Sequence, residues 1–266
     1  MLGVTFGRPE DWPGQDLIGY SEEFSPGLAL EAYSCGVFPM PIDHDGEEMG
    51  WWSPMQRGLL PIHGLHVTRS LRKSARRYTT TVDRAFDDVL AACGDPARDG
   101  GWIDARIQDA YTTLHAKGWV HSVETWDADG RLVGGLYGVH VGGVFAGESM
   151  FHDPDRGRDA SKVALLRLAV ELAWAGVRLL DVQWLTEHLG SLGAYEVPRA
   201  EYLARLSLAL ELPQLPWGGG GTMDGADLLQ AWDAARAQGT LSGGGTPSRA
   251  DAPPTGARSS EGGADA

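Results

Sequence analysis

The apolar positions of this chain change period along its length, and each change predicts an element. In IDARIQDAYTTLHAKG, from residue 103, the residues Ile107, Ala110, Tyr111 and Leu114 form one stripe, so a helix is predicted with Gly118 as its stop. From residue 119 the period drops to two: WVHSVETW, RLVGGLYGVHV and GVFAGESMF read as three strands. DADG joins the first pair, and Gly142-Gly143 joins the second with the composition of a primed two-residue turn. ASKVALLRLAVELAWAGV returns to helical spacing, and RLLDVQWL is a further strand. An antiparallel meander, a crossover helix and one more strand predict an α+β mixed sheet in which the strands flanking the crossover are parallel.

Upstream, SPGLALEAYSCG predicts a helix ended by Gly36, followed by VFPMP, an acidic loop (DHDGEE) and WWSP. Residues 1–62 read as a small, loop-rich N-terminal subdomain. VTRSLRKSARRY predicts a basic helix, and TTTVDRAFDDVLAAC a strand turning into another helix. The main domain is expected over residues 63–213. Residues 214–266 read as a disordered tail of Gly, Ser, Pro and Ala, in which ADLLQAWDAARAQ predicts only a marginal helix.

Composition narrows the function classes. A 266-residue chain with 42% hydrophobic and 22% charged residues is an ordinary globular composition. It has no apolar run long enough to span a bilayer and no secretory leader pattern. Two cysteines, Cys35 and Cys93, are too few for a disulfide framework or a zinc site, which fits a reducing cytoplasm. A net charge of −14 argues against a general polyanion binder. The run Arg69, Arg72, Lys73, Arg76, Arg77 is therefore anomalous; its spacing predicts one helical face, open between a phosphate-binding role and plain solvation.

Two acids stand out. Asp181 and Gln183 alternate with Val182 and Trp184, so the strand period turns the first two to one face. A carboxylate there must be hydrogen-bonded or face a cleft. Glu148 ends the strand VFAGESM, and the crossover brings it beside Asp181 at an opening between the two strands. Both acids stand open between satisfied strand-end residues and a site. The pattern excludes several alternatives: GESMF lacks the second glycine of a hydrolase elbow, DPDRGRD lacks calcium-loop spacing, and no Walker loop occurs.

In order along the chain, GVFPM, WWSP, LHVTRSLRKSARR, GWI, VHSVETW, LVGGLYGV, VFAGESMF, DASKVALL and LLDVQ with its downstream His188 and SLGA resemble the bacterial leucyl/phenylalanyl-tRNA–protein transferases, over about residues 27 to 205. The resemblance implies an N-terminal subdomain joined to an acyltransferase-like (GNAT-like) domain. It implies transfer of Leu or Phe, and Met less well, from aminoacyl-tRNA to proteins with an N-terminal Lys or Arg. The product is an N-degron for protein degradation, and neither metal nor coenzyme takes part. Asp181 and Gln183 would be catalytic. Glu148 with Trp102 and Tyr111 would bind substrate, the two aromatics around the aminoacyl-adenosine end. Leu136, Phe145, Met150, Leu165, Leu168, Leu172 and Leu180 would form the apolar pocket, and the basic helix would hold the tRNA. The chain departs from the family pattern at YSEEFSPG, where a Gly-Gly-Asp is usual, at Met40, where an aromatic is usual, at Thr186, where Asn is common, and at Val182, where Cys is.

The donor ester is already activated, so the enzyme must align two substrates and manage one proton. An α-amino group titrates near 7.7–8.0 and an ordinary Asp near 3.9, a gap of about 4 units or roughly 5.5 kcal/mol. Asp181 is therefore expected to accept a hydrogen bond from the amine and stabilise developing positive charge; a raised pKa in a dry pocket would make it a general base. Two other readings are a coenzyme-A-dependent N-acyltransferase, for which only GRDASK precedes the crossover helix, and a non-catalytic aminoacyl-tRNA-binding relative.

Overall fold

A computed structural model describes residues 6–42, 48–96, 102–218 and 221–242. Its centre is an eight-stranded sheet. The predicted meander supplies β6 (Val120–Trp126), β7 (Leu132–Val141) and β8 (Val144–His152). In chain order around it come β4 (Gln56–Leu59), β5 (Thr79–Val82), β9 (Leu179–Gln183), β10 (Tyr195–Pro198) and β11 (Met223–Asp224). The strand order is β10-β4-β9-β8-β7-β6-β5-β11. Every pair in it is antiparallel except β8–β9, which the helix α5 (Ala160–Ala175) connects. The crossover expectation holds, and so does the turn: Gly142 takes φ 56°, and Val141 pairs with Val144 across it.

The first sixty residues are more regular than their Gly and Pro content suggests. Strands β1 (Leu17–Ser21), β2 (Phe38–Pro41) and β3 (Met49–Trp52) form a second sheet in the order β1-β3-β2. The helix α1 (Pro26–Cys35) precedes β2, capped by the Ser25 hydroxyl and closed by Gly36 at φ 83°. Five of the six residues of the acidic loop, 43–47, lie outside the described segments. Residues 56–59, within the span read as the N-terminal subdomain, form strand β4, which joins the large sheet between β10 and β9.

Helices cover both faces of the large sheet. The helices α2 (Arg69–Ala75), α5 and α8 (Gly225–Ser242) pack on one side, with α3 (Phe86–Cys93) and α4 (Ala105–Ala116) on the other. Alternation explains the division: Leu136, Phe145 and Leu180 enter the first core, Tyr137 and Ala146 the second. The remaining helices are α6 (Glu187–Ser191) and α7 (Arg199–Leu210), the latter over β4 and β9.

The tail reading needs correction. Through Ser242 the segment after residue 213 is built into the fold: β11 pairs with β5, and Leu228, Leu229 and Trp232 of α8 are buried in the core with α2 and α5. The helix starts close against α2, since a Cβ on Gly225 would lie 1.9 Å from the Ala75 carbonyl oxygen. Its apolar stripe gains from a partner surface what it lacks in intrinsic stability. Residues 243–266 lie outside the described segments. No described helix is long and apolar enough to cross a membrane.

Candidate active site

Strands β8 and β9 pair at Val144–Leu179, Phe145–Leu180 and Ala146–Asp181, and the pairing stops there. Beyond it the strands part, and Glu148 and Gln183 sit at the opening. Asp181 occupies the last paired position and is 1% exposed. It shares its face with Gln183, as the strand period predicts, but lies deeper.

Asp181 is locked from below. Arg57 of β4, itself 0% exposed, donates Nε to Oδ1 at 2.8 Å and Nη2 to Oδ2 at 2.6 Å. The Tyr202 hydroxyl donates to Oδ2 at 2.8 Å, and the Gln183 backbone N–H to Oδ1 at 3.0 Å. Each carboxylate oxygen thus has two protein donors. Arg57 also donates to the Gly36 carbonyl and lies between the rings of Phe38 and Tyr202. Burial works against its charge, but Asp181 raises its pKa above the usual arginine value.

Gln183 adopts φ 57°, uncommon for a residue other than glycine. Strand alternation ends there, so Trp184 does not follow Val182 to the other face. Trp184 instead packs edge-on against Phe38, with ring centroids 4.9 Å apart, and Trp52, at 5.6 Å. The Gln183 amide then reaches Glu148, with Nε2 donating to Oε1 at 3.3 Å. The Tyr111 hydroxyl donates to Oε2 of Glu148 at 3.2 Å and lies 2.5 Å from the Tyr33 hydroxyl. Removal from water pushes the Glu148 pKa up to about 8; the Tyr33 hydrogen bond opposes this and the Asp181 charge adds to it. Burial, with Glu148 adding, holds both tyrosine hydroxyls protonated well above their usual range.

Two cavities meet at these groups. The larger, about 330 Å³, is walled by Leu136, Met150, Leu165, Leu168 and Leu180, all expected pocket residues. Phe145 and Leu172, expected beside them, do not line it. Both are 0% exposed in the core, and Phe145 stacks on Trp217 at 5.2 Å. Tyr137, Val182 and Leu189 complete the apolar wall, and Thr186 and His188 also line it. Val182 faces away from Asp181, as strand alternation predicts, and meets this cavity. His188 is exposed, yet partial desolvation and the nearby Lys162 and His152 lower its pKa. The smaller cavity, about 100 Å³, is lined by Phe38, Pro39, Met40, Trp102, Glu148, Gln183 and Trp184. Trp102 is thus at the site, whereas Tyr111 is fully buried and reaches Glu148 by its hydroxyl.

The basic residues form a less uniform face than predicted. Helix α2 ends at Ala75, leaving Arg76 and Arg77 in the following turn. Arg69, Lys73, Arg76 and Arg77 are exposed, and Arg77 lies over the Tyr78 ring. Arg72 is only half-exposed and pairs with Asp233 of α8, with Nη1 at 3.1 Å from Oδ2. Among the described residues no cluster of three or more His, Cys, Asp or Glu is placed to hold a metal ion.

Sequence reasoning missed Arg57, Tyr33 and Tyr202. The dipeptide Gln56-Arg57 inside QRGLL carried one usable signal, a cation in a short apolar run that required a buried anion.

A family model described as leucyl/phenylalanyl-tRNA protein transferase matches residues 59–207, and one for that protein's N-terminal domain matches residues 22–55. The leucyl/phenylalanyl-tRNA–protein transferase of Afipia carboxidovorans is 48% identical over 197 residues, covering 73% of this chain and 85% of its own length. That of Rhodospirillum rubrum is 47% identical over 213 residues, covering 79% and 96%. Among solved structures, the C-terminal domain of a putative lysylphosphatidylglycerol synthetase from Agrobacterium fabrum matches 79% of this chain and 69% of that chain. The TM-score of that match is 0.37 and the sequence identity 14%.

Proposed function

Since the chain belongs to the leucyl/phenylalanyl-tRNA–protein transferase family, we propose that it moves Leu or Phe, and Met less well, onto proteins that begin with Lys or Arg. It is an aminoacyltransferase that takes the aminoacyl group from tRNA to a protein N-terminus, and the product is an N-degron. We read the sheet, with its parallel pair parting at the site, as an acyltransferase (GNAT-like) arrangement working in the cytoplasm.

The observation that carries the donor reading is the 330 Å³ apolar cavity opening beside Glu148 and Gln183. Its walls suit an uncharged, apolar side chain such as Leu or Phe, because a charged one would be desolvated there without a partner. The 100 Å³ cavity, with Trp102 and Met40, then suits the terminal adenosine. Trp102 can stack on a base; Met40 offers an adaptable sulfur contact where a second ring is usual. The carboxylate of Glu148 suits a cationic acceptor. Asp181 has no free face for that amine. It acts as a positioning residue, holding the Gln183 backbone in its left-handed conformation and neutralising Arg57.

Incubation with radiolabelled Leu-tRNA and a peptide beginning with Arg or Lys tests the function. Label is expected on that peptide and not on one beginning with Ala. Equal labelling of both, or none of either, sinks the reading.

Arg69, Lys73 and Arg76 are proposed to contact tRNA phosphates. Replacing Lys73 and Arg76 together by Ala is expected to weaken tRNA binding and to reduce the slope of log affinity against log salt by about 2, since each phosphate contact contributes roughly 0.9. An unchanged slope in filter binding at several salt concentrations would remove these residues from the interface.

A further inference from the structure

We propose that Glu148 takes the proton from the attacking α-amine and returns it to the departing ribose oxygen. This deepens the reading above and rests on it. Among the described residues, only Glu148, Gln183 and Trp184 line both cavities. The bond that changes joins the aminoacyl carbonyl to the ribose, so it lies where the side-chain cavity meets the nucleoside cavity. Of the three groups there, a neutral amide is not basic and an indole N–H only donates. The carboxylate is the one proton acceptor.

Its free valence is right for the task. An ionised carboxylate offers about four acceptor positions. Gln183 occupies one on Oε1 and Tyr111 one on Oε2, and Tyr33 takes a third, which leaves one position open. Asp181, by contrast, has both oxygens doubly engaged and almost no exposed surface. The charged and titratable groups facing Glu148 are Tyr33 from α1, Arg57 from β4, Tyr111 from α4 and Asp181 from β9. Arg57 is held by Asp181 in both of its short contacts, and Glu148 forms no salt bridge among the described residues. Burial, with Asp181 adding, therefore prevails over the tyrosine hydrogen bonds and brings the carboxyl to about 8. An α-amine titrates near 7.7–8.0, so the proton moves between groups of nearly equal affinity.

The step balances as follows. The neutral amine's lone pair forms the C–N bond to the ester carbonyl carbon, and the carbonyl π pair moves to its oxygen. Nitrogen, now positive, gives one proton to the Glu148 carboxylate. When the carbonyl re-forms, the C–O bond to the ribose breaks and its electron pair leaves with the ribose oxygen. Glu148 returns the proton to that oxygen. The products are an amide and a ribose hydroxyl, and Glu148 ends ionised as it began.

The reactive complex needs both the carboxylate and the free amine. With saturating Leu-tRNA, log kcat/KM for an Arg-initiated peptide is expected to rise with a slope near 2 between about pH 6 and 7 and to level above about 9. Glu148→Gln should lose about 100-fold or more in kcat/KM and show a slope near 1, with Leu-tRNA binding within about 3-fold of wild type. Glu148→Asp should recover part of the rate and the steeper slope. A wild-type slope near 1, or a Glu148→Gln variant within about 5-fold of wild type, overturns the proposal while leaving the transfer function intact. Wild-type protein that labels no Arg-initiated peptide overturns the function itself, and this inference with it.

Discussion

Arg57→Met is expected to lower folding stability by about 3–5 kcal/mol and to abolish transfer. Breaking a buried ion pair by removing one partner leaves the other charge without compensation, and here the survivor would be Asp181 at 1% exposure. The same substitution removes the donor to the Gly36 carbonyl, at the junction of α1 and β2. Arg57→Met combined with Asp181→Leu should recover most of the lost stability, because a buried pair can be exchanged for apolar groups of similar size at little net cost. The double variant should remain inactive, since the Gln183 N–H then has no Asp181 acceptor to hold its φ of 57°. Urea unfolding followed by fluorescence, beside the peptide-labelling assay, measures both. A single variant within about 1 kcal/mol of wild type would show that the pair does not hold the site.

Trp232→Ala is expected to cost about 3–5 kcal/mol, as for a large aromatic removed from a closed core. Trp232 is 0% exposed and belongs to the same core as Leu71, Ala75 and Leu166. Its Nε1 is buried without a hydrogen-bond partner among the described residues, so Trp232→Phe removes an unsatisfied donor as well as volume and should cost much less than Ala. Thermal or urea unfolding of both variants gives the comparison. Equal losses for Phe and Ala would mean that the indole itself is needed, and a negligible loss for Ala would mean that α8 is dispensable to the fold.

Periodicity made the centre of the molecule legible. The meander, the crossover and the parallel pair all follow from alternation and one Gly-Gly turn, and the shared face of Asp181 and Gln183 follows from the same rule. The rule failed at one residue, Gln183, whose left-handed backbone redirects Trp184. Nothing in LLDVQWL signals that reversal. Depth was also hidden. Asp181 looked like a group at a cleft because its partner, Arg57, lies 124 positions away in the chain. Apolar spacing could not separate cavity from core either: Leu168 and Leu172 are neighbours on one helical stripe, yet only the first lines the cavity. Short strands such as β2, with its two prolines, are defined by the edges they pair with rather than by composition.

The two-residue strand β11 has a consequence for how the protein behaves in a crowded solution. It lies along β5, whose sequence Thr79–Val82 is β-branched throughout. An uncovered strand of that kind is a template for another chain's backbone. A chain ending at Pro213 would keep every residue matched by the family model and would lose this cover. Its defect should appear as concentration-dependent association, seen as rising mass in light scattering, as well as lower stability. A strand of two residues would then be what keeps the sheet from finding a neighbour.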